Sequence, residues 1–200
     1  MLPGFPGLQR IENRIVPETV REAGAAWILE ISPMASPSPA LDLPRLRCLV
    51  NADGIGWPVQ AHFDALPFAD ESLPAVLVRH LHQSAFSTPL YEEIRRCLIP
   101  GGLLISVSAS PWHPATWRVL GFRAARLPGP VRLQTLHLRM GLKPMQVGFE
   151  SLSQLIPLAS RLVLVASRKP PRPGSVHRLR FQRQPPRGAA AAINSWCRAA

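Results

Sequence analysis

Apolar positions along the chain follow two different periods. Leu8, Ile11, Ile15 and Val20 recur near helical spacing over residues 8–24, with Gly24 as a stop, and Pro17 is expected to kink that helix or divide it in two. "AWILEI" (26–31) and "LRCLVN" (46–51) are short strand-type runs, and the proline- and serine-rich stretch between them offers a poor helix or none. After the polar, turn-rich segment 64–72, "AVLVRH" (75–80) reads as a buried strand. Residues 88–98, "TPLYEEIRRCL", read as a helix: Thr88 caps, Pro89 takes the first position, Glu92 and Glu93 open it and Arg95 and Arg96 close it, an order that suits the helix dipole. "PGG" ends that helix, and "LLISVS" (103–108) is a strong strand. Residues 111–123 can hold a short helix with Trp112 and Trp117 on its apolar side, where an aromatic pair is expected to be core. "FESLSQLIPL", a short helix broken by Pro157, leads into a last strand, "RLVLVASRK" (161–169).

This alternation predicts an α/β fold: a mainly parallel sheet with helices on both faces. Three segments are expected. Residues 1–25 form an N-terminal helical segment, 26–169 a single domain, and 170–200 a disordered, basic Pro/Arg-rich tail with a weak terminal helix near "AAAAINSWCRA". With 46% hydrophobic residues, 200 residues suffice for one domain with a real core. The 23 prolines cluster at 33–44 and 170–186, which marks those stretches as irregular.

Charge narrows the choice of partners. The formal net charge is +11, and no acidic residue follows Glu150 while Arg161, Arg168, Lys169, Arg172 and further arginines do. Such a tail is either a solvated arginine-rich end or a nucleic-acid contact. Cys48, Cys97 and Cys197 are odd in number and widely spaced, which speaks against a zinc site and suits a reducing cytoplasm. "MLPGFPGLQR" lacks the pattern of a secretion signal, and the longest uncharged run, 97–117, is too rich in proline, glycine and serine to span a bilayer.

The order of segments then becomes recognisable. "DALPFADESLPAVLVRH" (64–80) followed by "YEEIRRCLIPGGLLISVS" (91–108) resembles the middle of a class I S-adenosylmethionine-dependent methyltransferase of the type 11 group. "SASPWHPATWRVLGFR" further resembles a bacterial subgroup with an Asn-Pro-Trp segment after the fifth strand. The resemblance implies a Rossmann-like, seven-stranded sheet with S-adenosylmethionine lying across the carboxyl ends of its first strands. It places Glu30 at the acidic position late in the first strand, with Ser32 beside it, Asp64 against the adenine amino group, and Ala65 and Leu66 along the base. An acid meets the ribose at the end of the second strand, where either Asn51 or Asp53 stands; Asp53 keeps a charge-assisted pair available.

The family's first strand normally runs into Gly-x-Gly-x-Gly, because glycine adopts positive φ and lets backbone approach the methionine part of the cofactor. Here "ISPMASPSP" takes that place, and Pro33 has a fixed φ and no N–H to donate. Two function classes follow. One is a methyltransferase acting on an unknown small-molecule acceptor with an altered cofactor loop; the other is a non-enzymatic descendant of the fold, kept for interaction, with nucleic acid through the basic tail as one form of it. For the enzyme, His80 and His82 at the end of the fourth strand are the base candidates and His113 the third, and Trp112 and Trp117 could wall an acceptor pocket. Asp70 and Glu71 read as a solvated turn with nothing nearby to pair them. No hydrolytic triad pattern, phosphate loop or metal-ligand cluster is visible.

Overall fold

The computed structural model of the chain describes residues 6–33, 37–51, 54–81, 88–148 and 160–172. His82, Asp53, Cys197, the helix read over "FESLSQLIPL" and nearly all of the tail, with its terminal helix, lie outside the described residues.

In chain order the elements are α1 (Pro6–Ala23), β1 (Ile28–Pro33), β2 (Arg45–Val50), β3 (Ile55–Trp57), β4 (Leu73–Arg79), α2 (Thr88–Cys97), β5 (Leu98–Ala109), α3 (Pro114–Leu120), a 3-10 turn over Gly121–Arg126, α4 (Pro130–Arg139), β6 (Lys143–Gly148) and β7 (Leu162–Arg168). Seven strands form one sheet in the order β3-β2-β1-β4-β5-β7-β6. β1 pairs in parallel with β2 and β4, and β4 with β5. β3 and β7 join antiparallel, and β6 runs antiparallel to β7. The sheet is therefore Rossmann-like but mixed, with parallel pairing confined to its middle.

Alternation along the middle strands divides the core in two. Leu29, Ile31, Val76, Val78 and Leu104 face α2, where Leu90, Tyr91 and Ile94 cover them, and Met140 and Leu142 extend the same layer past α4. Ile28, Leu77, Ile105 and Leu164 face the other way and meet Leu8, Ile11, Val16 and Val20 of α1. Burying such side chains stabilises the fold by roughly 1.5–3 kcal/mol each.

Three departures from the sequence reading matter. α1 continues through Pro17 as one helix; the proline removes one hydrogen bond, while Leu8 and Ile11 before it and Val20 after it pack into one layer and hold the two halves together. β3, α4 and β6 are additional elements. Trp112 and Trp117 are 44% and 40% exposed and so are not core.

The turn into β3 is built on close backbone approach. A Cβ at Gly54 would stand 2.4 Å from the Ala61 carbonyl oxygen, while Ile55 and Ala61 exchange backbone hydrogen bonds of 2.9 and 3.0 Å. Gly54→Ala should thus cost roughly 1–3 kcal/mol, read as a lower urea midpoint with unchanged m-value.

Candidate functional site

The carboxyl ends of β1, β2 and β4 face the same way, which is where open α/β sheets place their ligands. At this edge β1 does not turn at Ser32. It runs on to Pro33, which pairs with Val50. Residues 37–44 form no helix, so the link to β2 is pinned by side chains instead. Arg79 Nη2 donates to the Pro37 carbonyl at 2.9 Å, Ser38 Oγ donates to the Glu30 carboxylate, and Gln9 Nε2 donates to the Ser38 carbonyl at 3.4 Å.

These contacts belong to a buried ion network. Arg79, fully buried, donates from Nη1 to Glu30 Oε1 at 2.8 Å and from Nη2 to the Glu12 carboxylate. Arg47 adds a longer contact to Glu30 at 3.6 Å and donates from Nε to Ser32 Oγ at 3.2 Å. The other Glu12 oxygen meets His80 Nε2. Burial alone would raise the Glu12 pKa, but His80 and Arg79 together outweigh it and hold that carboxyl below its usual range. Glu30 and Ser32 are fully buried, and both Glu30 oxygens are engaged by the protein. Glu30 therefore serves, in this arrangement, to tie down residues 37 and 38 of the connection to β2.

His80 differs from its neighbours in two ways. Its φ of 46° lies in the left-handed region, a conformation that costs a non-glycine residue of order 1 kcal/mol or more. Its Nδ1 is buried and has no hydrogen-bond partner among the described residues. Ser110 Oγ, just past the end of β5, is buried and unpartnered in the same sense. Backbone contact joins the two strand ends, the His80 N–H donating to the Val107 carbonyl at 2.9 Å. Buried polar atoms without partners are rare in folded proteins and mark places where water or ligand completes the bonding. His113, by contrast, caps α3: its Nδ1 accepts from the Ala115 N–H at 3.1 Å.

On the other side of β1, the chain that leads to Asp64 starts at Ala61, bridged to Ile55, which pairs with Val50. Asp64 and Ala65 are exposed, and Asp64 forms no ion pair among the described residues. Leu66 is a core residue, and its N–H donates to Glu93 Oε2 at 2.9 Å. Arg96 clamps the rest of the Leu-Pro-Phe turn, donating to the carbonyls of Leu66 and Phe68 at 3.2 and 3.0 Å and pairing with Glu93 at 2.7 Å. The acidic pair is also partnered, contrary to expectation: Asp70 meets Arg96, and Glu71 meets Arg172 at 2.6 Å and Lys169 at 3.5 Å. Asn51 Oδ1 accepts from the Gly54 N–H at 2.9 Å and so closes the β2–β3 turn. A groove of about 440 Å³ lies elsewhere, between α4 and the start of α2, and no residue nominated from the sequence lines it.

Residues 40–106 match the family model of the methyltransferase domain, type 11. The fold is the Rossmann-like fold of such methyltransferases. It is shared with a SAM-dependent methyltransferase from Aquifex aeolicus at 10% identity and TM-score 0.56, the alignment covering 82% of this chain and 94% of that one. A SAM-dependent methyltransferase from Archaeoglobus fulgidus aligns at 12% identity and TM-score 0.54, over 80% and 96% of the two chains. The [4+2]-cyclase SpnF aligns at 11% identity and TM-score 0.51, over 84% of each chain. No curated protein matches the sequence. Likeness at these identities is likeness of fold, and one neighbour bears the name of a cyclase, so the chemistry of a methyltransferase-type domain has to be argued from its own residues.

Within this methyltransferase-type domain the sequence missed two members of the site, Glu12 and Arg79. Signals for both were present. Glu12 stands on the same helical face as Leu8, and Arg79 is a charge at the end of an otherwise apolar strand.

Proposed function

We propose that the protein is an S-adenosylmethionine-dependent methyltransferase acting on a small-molecule acceptor. The observation that carries the reading is the Nδ1 of His80, without a partner among the described residues and held at the carboxyl edge of β4 in a left-handed backbone. Glu12, held below its usual range by His80 and Arg79, meets His80 at Nε2 and so leaves Nδ1 as the ring nitrogen open to an acceptor's proton. That arrangement suits removal of a proton from an O–H or N–H acceptor. His82, two residues on in the sequence, is a second base candidate.

The residues fit the cofactor unequally. Asp64 is a solvent-facing carboxylate with no competing cation among the described residues, and it suits the adenine amino group, with Ala65 and Leu66 beside the base and Asp53 for the ribose. Glu30 and Ser32 do not suit the methionine end, because Arg79, Ser38 and Arg47 already engage them. When bound, the cofactor supplies the methyl group; this chain's residues hold the adenosyl part and position the proton acceptor. Burial pushes the Cys48 thiol up to about 11, and Cys48 and the buried Cys97 form no disulfide among the described residues.

Calorimetric titration with S-adenosylmethionine should give heat of binding in the wild type, about tenfold weaker affinity in Asp64→Ala, and unchanged affinity in His80→Gln. Absence of heat from the wild type at millimolar cofactor would overturn the reading. A second reading is favoured by the bolting of Pro37 and Ser38 onto Arg79 and Glu30: a non-catalytic descendant of the fold that has filled its own methionine cradle and serves interaction, through nucleic acid at its basic tail.

A further inference from the structure

The connection between β5 and α4 leaves the sheet at the carboxyl edge that also ends β4. It carries large apolar side chains that the fold does not bury. Phe122, in the 3-10 turn, is 93% exposed. This exposure is imposed from within: two and five residues on, Ala124 and Leu127 are buried and anchor the turn, which directs Phe122 outwards. Trp117 donates its indole N–H to the Pro111 carbonyl at 2.6 Å, which satisfies its polar edge and leaves the ring partly in solvent. Trp112 rests against Gly129, where an added Cβ would lie 3.1 Å from the indole ring. Val131, the second residue of α4, is also largely exposed.

Along residues 111–131 charge is of one sign. Arg118, Arg123 and Arg126 are exposed and form no ion pair among the described residues. No aspartate or glutamate occurs between Glu93 and Glu150. Interleaved cations and outward-facing aromatic and aliphatic groups are the pattern of an interfacial anchor: apolar groups enter the headgroup boundary while the arginines meet lipid phosphates. Single-stranded nucleic acid would use the arginines and the indoles, but it offers nothing to bury the exposed aliphatic Val131.

We infer that residues 111–131 form a peripheral docking surface for anionic lipid bilayers, with Phe122 as the inserting side chain and Arg118, Arg123 and Arg126 as the phosphate contacts. No helix among the described residues is long and apolar enough to cross a membrane, so attachment would be at one face only. The inference does not depend on methyl transfer.

The test is co-sedimentation of the full chain with vesicles of phosphatidylcholine alone or with 30 mol% phosphatidylglycerol, a composition of roughly the anionic content that supports polybasic binding. Wild type should bind the anionic vesicles and not the neutral ones, with binding weakened by salt. Phe122→Asp, whose native side chain makes almost no contact with the fold, should bind about tenfold more weakly at unchanged thermal midpoint. Arg123→Ala with Arg126→Ala should weaken binding roughly thirtyfold. Equal vesicle binding by wild type and Phe122→Asp would overturn the inference, since attraction by the tail alone predicts that result. Retention on single-stranded RNA without retention on anionic vesicles would overturn it as well and assign the surface to nucleic acid.

Discussion

Arg79→Met should lower the unfolding free energy by about 3–5 kcal/mol, seen as a reduced urea midpoint. The side chain is fully buried among Glu12, Glu30 and the Pro37 carbonyl. Its removal leaves two buried carboxylates facing one another, with the partly exposed Arg47 as the nearby cation beside Glu30. Methionine fills similar space, so the loss would come from charge and hydrogen bonding more than from a cavity. Adding Glu30→Gln should recover part of the loss, because one uncompensated charge then disappears. A loss below about 1 kcal/mol would mean that the network is not formed as described.

His137 should make the protein acid-sensitive well above the usual carboxylate range. It lies fully buried between two serines, Nε2 to Ser106 Oγ and Nδ1 to Ser167 Oγ at 2.8 Å each, with Tyr91 bonded to the same Ser106 at 3.2 Å. Burial pushes its pKa down from 6.5 to about 4. Because the folded form resists protonation while the unfolded chain accepts a proton below about 6.5, stability is fully present above that pH. It declines as pH falls and has lost about 3 kcal/mol by pH 4. His137→Gln, which keeps hydrogen-bonding capacity without titrating, should flatten this dependence between those two pH values. Tyr91 does not compete in this window, since burial raises its pKa to about 12. Parallel pH profiles for wild type and His137→Gln would refute the assignment.

His137 also explains one failure of the sequence reading. In "PVRLQTLHLR" a polar residue occupies a core position of α4, so the apolar period breaks where the helix is most buried. β6 hid for a different reason: it contains Pro144 and Gln146 and pairs only with β7 at the end of the sheet. β3 has three residues, too few for any period. β1, β4, β5 and β7 were legible because strands covered on both faces need continuous apolar runs. The Leu-Pro-Phe turn was legible as a motif, but not its clamp, since Arg96 reaches it from α2. Glu30 was legible as an acid near the site. Its partner was not, because Arg79 lies 49 residues away in sequence and local pattern carries no record of such pairing.

The tie between Arg79 and the backbone at Pro37 also sets how the domain could be redesigned. Swapping Pro33 for glycine would restore torsional freedom at one residue, yet the following stretch would stay moored to the guanidinium beneath it. A pliant lip at this edge would require changing the arginine together with its two glutamates, and each change made singly would leave a buried charge without its partner.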